Sequence, residues 1–198
     1  MNSKVHLPVV GMMNADQILG PHPTPPHPCG IHLTAKDQHT AHSVPHRVLD
    51  NSTTQDAKFI AVMTQWILKH HVSPDALERD RLRREALARQ GLVDPVQRFP
   101  VNSKTQKGNW AEILLAEYVA ASSDAQLPIY RLRYNTNVDQ SMKGDDVLAF
   151  DLESNPVRVL VWGVEIPFDS INPGSRGSCS CVGKITLREY PCFASVCC

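Results

Sequence analysis

From Thr54 to His70 the apolar side chains Phe59, Ile60, Met63, Ile67 and Leu68 recur at the spacing of one helical face. This predicts a core-facing helix with Asn51, Ser52 or Thr53 as its N-cap. Ser73-Pro74-Asp75-Ala76 opens a second helix with proline at its first position, and Leu77, Leu82 and Leu87 are set among charged residues until Gly91 stops it. Pro95 and Pro100 keep the next stretch irregular. A third helix is predicted from Gly108 to about Ala121, where Trp110, Ile113, Leu114, Glu117, Tyr118 and Val119 make a wide, largely apolar face around Glu112. After Pro128 the period changes to two. Residues 129–134, 146–151 and 157–165 then read as strands, so the chain is expected to be α/β: a helical N-terminal part followed by a sheet core.

Outside that core the pattern fades. Residues 1–50 are rich in proline and histidine, with no sustained periodicity, and are expected to be irregular. Seven of the nine histidines fall there, but their spacing is irregular and no carboxylate or thiol pattern accompanies them, which favours a solvated loop over a metal site. Five arginines between Arg79 and Arg89 suggest a phosphate-binding face, yet interleaved Glu78, Asp80 and Glu85 fit a solvated helix with i,i+4 pairs better. Lys+Arg and Asp+Glu balance at 20 each, so charge gives no global bias toward nucleic acid or membranes, and any nucleic-acid contact has to be local. No run approaches the roughly 18 apolar residues of a membrane span, and Met1 to Val10 has no signal-peptide core; no membrane partner and a cytoplasmic location are expected.

Three acids stand on ordered elements: Glu112 on the third helix, Asp146 at the start of one strand and Glu165 at the end of the next. Asp146 and Glu165 can meet across a hairpin, and Glu112 can add a further oxygen. Hydrolysis of a phosphodiester uses a Mg²⁺-type ion held by a few carboxylates and water. Glu165 also ends the apolar run Val159-Leu160-Val161-Trp162, where an unpaired carboxylate is costly without a cation or donor. The plainer alternative is three ordinary surface acids at element ends.

Three blocks bear a family likeness in order and spacing: Lys107-Gly108-Asn109-Trp110-Ala111-Glu112-Ile113-Leu114-Leu115, Lys143-Gly144-Asp145-Asp146-Val147-Leu148-Ala149-Phe150 and Val161-Trp162-Gly163-Val164-Glu165. Together they resemble the nuclease subunit of the Hachiman anti-phage defence system, a branch of the PD-(D/E)xK nuclease superfamily. The resemblance implies a restriction-endonuclease-like mixed sheet and a DNA nuclease dependent on Mg²⁺ or Mn²⁺. It also implies catalytic Glu112, Asp146 and Glu165, metal ligation by Asp146 and Glu165, and a helicase subunit as partner. The family strand carries Glu-x-Lys, whereas this chain has Glu165-Ile166-Pro167. Proline offers neither a side-chain charge nor a backbone N–H, so impaired cleavage is expected, and a catalytically inactive module that binds the helicase is the alternative.

Beyond Phe168 the resemblance stops. Residues 169–198, with Cys179, Cys181, Cys192, Cys197 and Cys198, are expected to lie outside a core spanning 51–168 and to leave it incomplete. The tail reads either as a thiolate zinc site or as a frame-shifted translation, and in the second case the chain is a truncated, non-functional product.

Overall fold

The computed structural model describes residues 20–39, 45–51, 57–140, 146–153, 157–165 and 183–187, with Asp16, Ala41 and Asn155; at 51, 158, 162, 164, 165 and 183–187 it describes the backbone alone. In chain order the elements are helix α1 (Pro28–His32), strands β1 (Leu33–His39) and β2 (Pro45–Asn51), and helices α2 (Ala57–His71), α3 (Pro74–Ala88) and α4 (Ser103–Ser122). A 3-10 turn (Arg131–Tyr134) and strands β3 (Val147–Asp151), β4 (Arg158–Glu165) and β5 (Gly183–Leu187) follow.

The helices form where the apolar spacing predicts them. In α2 the buried residues are Phe59, Trp66 and His70, and Ser73 caps α3 by accepting from the Ala76 amide at 3.2 Å. After α3, Gly91 adopts φ +70°, which lets Leu92 N–H reach back to the Leu87 carbonyl at 2.9 Å and close the helix end. The predicted solvated character of α3 is borne out at Arg81, which pairs with Glu78 and Glu85 on the exposed face. Asp80 is instead buried, receiving Arg98 through two hydrogen bonds of 2.8 Å and Arg83 at 2.9 Å, and these guanidinium groups hold its carboxyl down at about 2.

Helix α4 starts at Ser103, five residues before Gly108. Asn102 accepts from the Lys104 and Thr105 amides, and Asp139 accepts from the Val101 and Asn102 amides just ahead of it, so the first turn is capped from two sides. Eleven of its residues are buried, and Ile113, Leu115, Tyr118 and Val119 meet Val147 and Ala149 of β3, Leu132, and Phe59 and Trp66 of α2 in one core.

The sheet has the order β1-β2-β5-β4-β3, and its four described ladders are all antiparallel. A helical part and a sheet core are thus present as predicted, but three local expectations are corrected. Residues 33–39 and 45–51 are not irregular. They pair as a hairpin in which only Leu33 of β1 is buried and the rest of that strand grades to exposed Lys36, Asp37, Gln38 and His39, so it lacks the alternation that marks a strand. Residues 131–134 form a 3-10 turn rather than a strand: Arg133 donates to the Lys69 carbonyl at 2.7 and 3.0 Å, capping α2, and only Leu132 is buried. Residues 183–187, within the tail expected to stand apart, form β5 between the two hairpins.

Of the described histidines in the N-terminal segment, His32 and His46 are buried, His22 and His27 half-buried and His39 exposed. His22 bonds the Tyr118 hydroxyl at 2.8 Å, His27 caps α1, His32 is buried against the Phe59 ring and His46 is buried. Arg47, 1% exposed, gathers Asp37 at 2.6 and 2.8 Å, Asp16, the Gly20 carbonyl and the Tyr118 hydroxyl, and so ties this segment to α4. At Gly20 (φ +76°) a Cβ would fall 1.7 Å from the Ser122 carbonyl oxygen, a contact only glycine permits. Cys29 is fully buried, and that burial pushes its thiol up to about 12.

Candidate active site

Glu112 lies in the middle of α4, 8% exposed, with Ala111 and Ile113 buried beside it. A carboxylate there loses most of its hydration, and burial is the main cause that raises its pKa to about 7. Two neighbours act on it in opposite senses. Arg131 lowers the value, and Asp146 raises it further, because a second negative charge disfavours ionisation. The structure therefore brings together two of the three predicted acids, 34 residues apart in sequence, within electrostatic reach of one another.

Each is positioned by a packed neighbour. Val147, 4% exposed, seats the first residue of β3 in the core and holds half-buried Asp146 at the strand's entrance. Leu132, also 4% exposed, anchors the 3-10 turn and sets Arg131 against α4. The Arg131 Nε stands 3.3 Å from Glu112 Oε1, and Nη2 donates to Oε2 at 3.4 Å. Charge-assisted pairs ordinarily close to about 2.7–2.9 Å. This pair is loose.

Glu165 is the last residue of β4 and lies opposite Lys184 of β5. Trp162 is the partner of Val147, so β4 runs on past the start of β3 toward the end of the sheet where Asp146 sits. The Glu165 side chain lies outside the described residues, as do Lys143, Gly144, Asp145, Pro167 and the cysteines of the tail. Among the described residues no three His, Cys, Asp or Glu side chains make a metal-ligand cluster.

Sequence reasoning missed Arg131, because the alternation of residues 129–134 disguised a turn as a strand. It also passed over Glu117 and Asp139. Glu117 accepts from His70 Nε2 at 2.7 Å and Lys69 Nζ at 2.8 Å, and Tyr130 lies over the same cluster with its ring near His70, Lys69 and Arg133. An acid inside an apolar face was the available signal for Glu117. Asp139 offered none, since its role depends on a contact with Val101 and Asn102 far away in sequence.

Along α4, Lys104, Gly108 and Glu112 follow at four-residue intervals and so share one stripe, which is exposed at its start and buried at Glu112. Lys104 and Gly108 are exposed, and a Cβ on Gly108 would meet nothing within 4 Å. Beside this stripe lies an apolar groove of about 540 Å³ between α2 and the start of α4, with Met63, Ile67, Phe99 and Trp110 in its wall.

The HamA family model matches residues 28–164, more than half of the chain. The chain belongs to the HamA family. The Hachiman protein HamA of Bacillus cereus is 39% identical to it over 119 residues, which cover 59% of this chain and 42% of that relative. This HamA-family chain therefore spans less than half the length of the curated relative it matches. No solved structure matches it. Among the described residues no helix is long and apolar enough to cross a membrane.

Proposed function

We propose that this HamA-family chain serves in anti-phage defence as a divalent-metal-dependent DNA nuclease, with Glu112, Asp146 and Glu165 as the acids of its site. The observation that carries the reading is the meeting of Glu112 and Asp146. Half-buried Asp146 adds to the cost of ionising buried Glu112, and a hard divalent cation relieves that cost. The donor set suits Mg²⁺ or Mn²⁺, which take carboxylate oxygens and retain water. When bound, such an ion polarises the phosphate and lowers the pKa of its water.

The rest of the work falls to the chain. Asp146 and Glu165 would hold the ion from adjacent strands, and Glu112 from the helix. Exposed Lys104 and Lys107, one to two turns ahead of Glu112, are placed to meet phosphates and orient the duplex without reading its sequence. The open surface at Gly108 lets a backbone approach α4 closely. Incubation of plasmid DNA with the pure protein and Mg²⁺ or Mn²⁺ tests this reading. Nicking that disappears in Asp146→Ala supports it, and no nicking with either ion rejects it.

A second reading follows from Pro167, which stands where the family strand carries lysine. Here the chain binds a helicase subunit of the same system and does not cut. Pro167→Lys separates the two: cleavage that appears only in that variant, together with capture of the helicase by the wild type, marks a disabled effector.

A further inference from the structure

Tyr134 is 68% exposed, the most open aromatic side chain among the described residues. Its backbone is nevertheless firmly held. Leu132 is buried beneath the 3-10 turn, and Arg133 donates to the Lys69 carbonyl and lies 4.3 Å from the Tyr130 ring centre. Just beyond, the Asn135 amide donates to the Leu132 carbonyl at 3.3 Å and its side chain to the Gln140 carbonyl at 3.0 Å. A tyrosine on so fixed a base has only its own two torsions to settle, so it offers a broad flat face at little entropic cost. The place of the turn gives that face a use. Side chains three apart on a 3-10 turn eclipse one another, so Tyr134 lies on the side of the turn from which Arg131 reaches Glu112. The chain is then fastened to α4 a second time, where Asp139 accepts from the Val101 and Asn102 amides and Thr105 donates to the Asp139 carbonyl at 2.9 Å. Residues 131–139 therefore run beside α4 from Glu112 back to its first turn, with Tyr134 between the two fastenings. The stretch of α4 alongside carries Gly108, where a Cβ would meet nothing within 4 Å, and exposed Lys104 and Lys107. Together they make an open strip: an aromatic ring at one side, a bare patch of helix, lysines at the far end, and Glu112 with Asp146 at the near end.

We infer that this strip takes an unpaired strand of DNA: a nucleobase stacks on Tyr134, the sugar–phosphate chain passes over Gly108, and Lys104 and Lys107 meet its phosphates. The inference rests on the nuclease reading given above and deepens it by naming the form of DNA that reaches the acids. Bases inside a duplex already stack on one another and leave an isolated protein ring nothing to cover. A base released from the duplex has a free π-face, which an aromatic side chain covers whatever the base. A single strand, a frayed end or the opened part of a supercoiled plasmid supplies such a base. Lysines and arginines match the acids at 20 each, so the phosphates are met by local cations rather than by a broad basic surface.

The test is a fluorescence-anisotropy titration of the full chain in EDTA, so that no cutting is needed, with a labelled single-stranded oligonucleotide and with its blunt duplex. Tyr134→Ala should weaken single-strand binding on the order of tenfold. Tyr134→Phe keeps the ring and should bind within about twofold of the wild type, whereas Tyr134→Leu, with apolar area but no π-face, should bind like the alanine variant. Duplex binding should be the same in every variant. The side chain is exposed, so its replacement leaves the fold intact. Three results overturn the inference: no single-strand binding by the wild type, no loss in Tyr134→Ala, or an equal loss for the duplex. Rescue by leucine as full as by phenylalanine overturns the stacking as well. Any of these, with Asp146-dependent plasmid nicking intact, leaves the nuclease standing. Single-strand binding that depends on Tyr134, without nicking under Mg²⁺ or Mn²⁺, instead removes the nuclease and supports the strip as a binding surface.

Discussion

Glu112 and Glu117 lie five residues apart on one helix, and each is 8% exposed, yet their carboxyls are driven in opposite directions. Glu112 is pushed up to about 7. Glu117 is held below the ordinary carboxylate value: burial acts against it as well, but His70 and Lys69 donate to the same oxygen at 2.7 and 2.8 Å and outweigh that burial. Equal burial thus gives opposite outcomes, and the difference is the partner set. Glu117 has two close donors and joins α2 to α4, which is what a structural ion pair does. Glu112 has one loose cation and a neighbouring acid, an arrangement that stabilises the fold poorly and suits a ligand.

The largest expected effect falls on the Glu112 side. If that half of the helix is the site, Asp146→Ala and Glu112→Ala should each reduce metal-dependent plasmid nicking by at least about 100-fold while leaving the thermal unfolding midpoint nearly unchanged. A nicking rate insensitive to both substitutions would erase the distinction between the two glutamates. On the other half, Glu117→Ala should cost about 3 kcal/mol in denaturant unfolding, since it strands buried His70 and part-exposed Lys69 without their acceptor. At about pH 4, where the Glu112 carboxyl is largely protonated, Glu112→Gln should change stability by less than about 1 kcal/mol.

The pH dependence of stability sharpens the contrast. For Glu112 the folded pKa lies above the unfolded one, so the native state holds the extra proton and stability should fall as pH rises from about 4.5 to about 7, on the order of 3 kcal/mol in all. Glu112→Gln should remove that slope. The Glu117 shift has the other sign: its contribution is present above the unfolded pKa and is lost as pH falls through the lowered folded value, so Glu117→Gln should flatten the acid side of the profile. Urea titrations at stepped pH read both slopes. The smallest effect belongs to Gly108, a glycine inside a helix with open space around it: Gly108→Ala should stabilise by about 0.5–1 kcal/mol. If DNA approaches α4 there, the same variant should also bind duplex DNA more weakly in a fluorescence-anisotropy titration.

Much of this architecture was legible from local pattern. Phe59, Met63 and Ile67 mark α2, Ser73-Pro74 and Gly91 bracket α3, and the apolar run at 157–165 marks β4, because in each case a short stretch of sequence carries its own periodicity and punctuation. Strands β1 and β2 were hidden because they give the core only a few side chains, Leu33, Ala35 and Leu49, and depend otherwise on pairing and on buried Arg47. The Ile129–Tyr134 alternation misled because a turn anchored by Leu132 alone resembles a strand over so few residues. In the candidate site, Glu112 and Asp146 were visible as acids on ordered elements. Arg131 was not, since its partner lies on a helix that only tertiary packing brings near.

The position of β5 bears on how the molecule is made. The strand that joins the two hairpins is the last of the five to leave the ribosome, so a nascent chain ending before Gly183 has each hairpin presenting an open rim to whatever else is unfolded nearby. Closure of the sheet then waits on a segment more than 130 residues from its β2 partner, a long-range pairing that forms slowly. The interval between synthesis of β4 and arrival of β5 is when this protein is most exposed to self-association, and chaperone capture during translation should concentrate there.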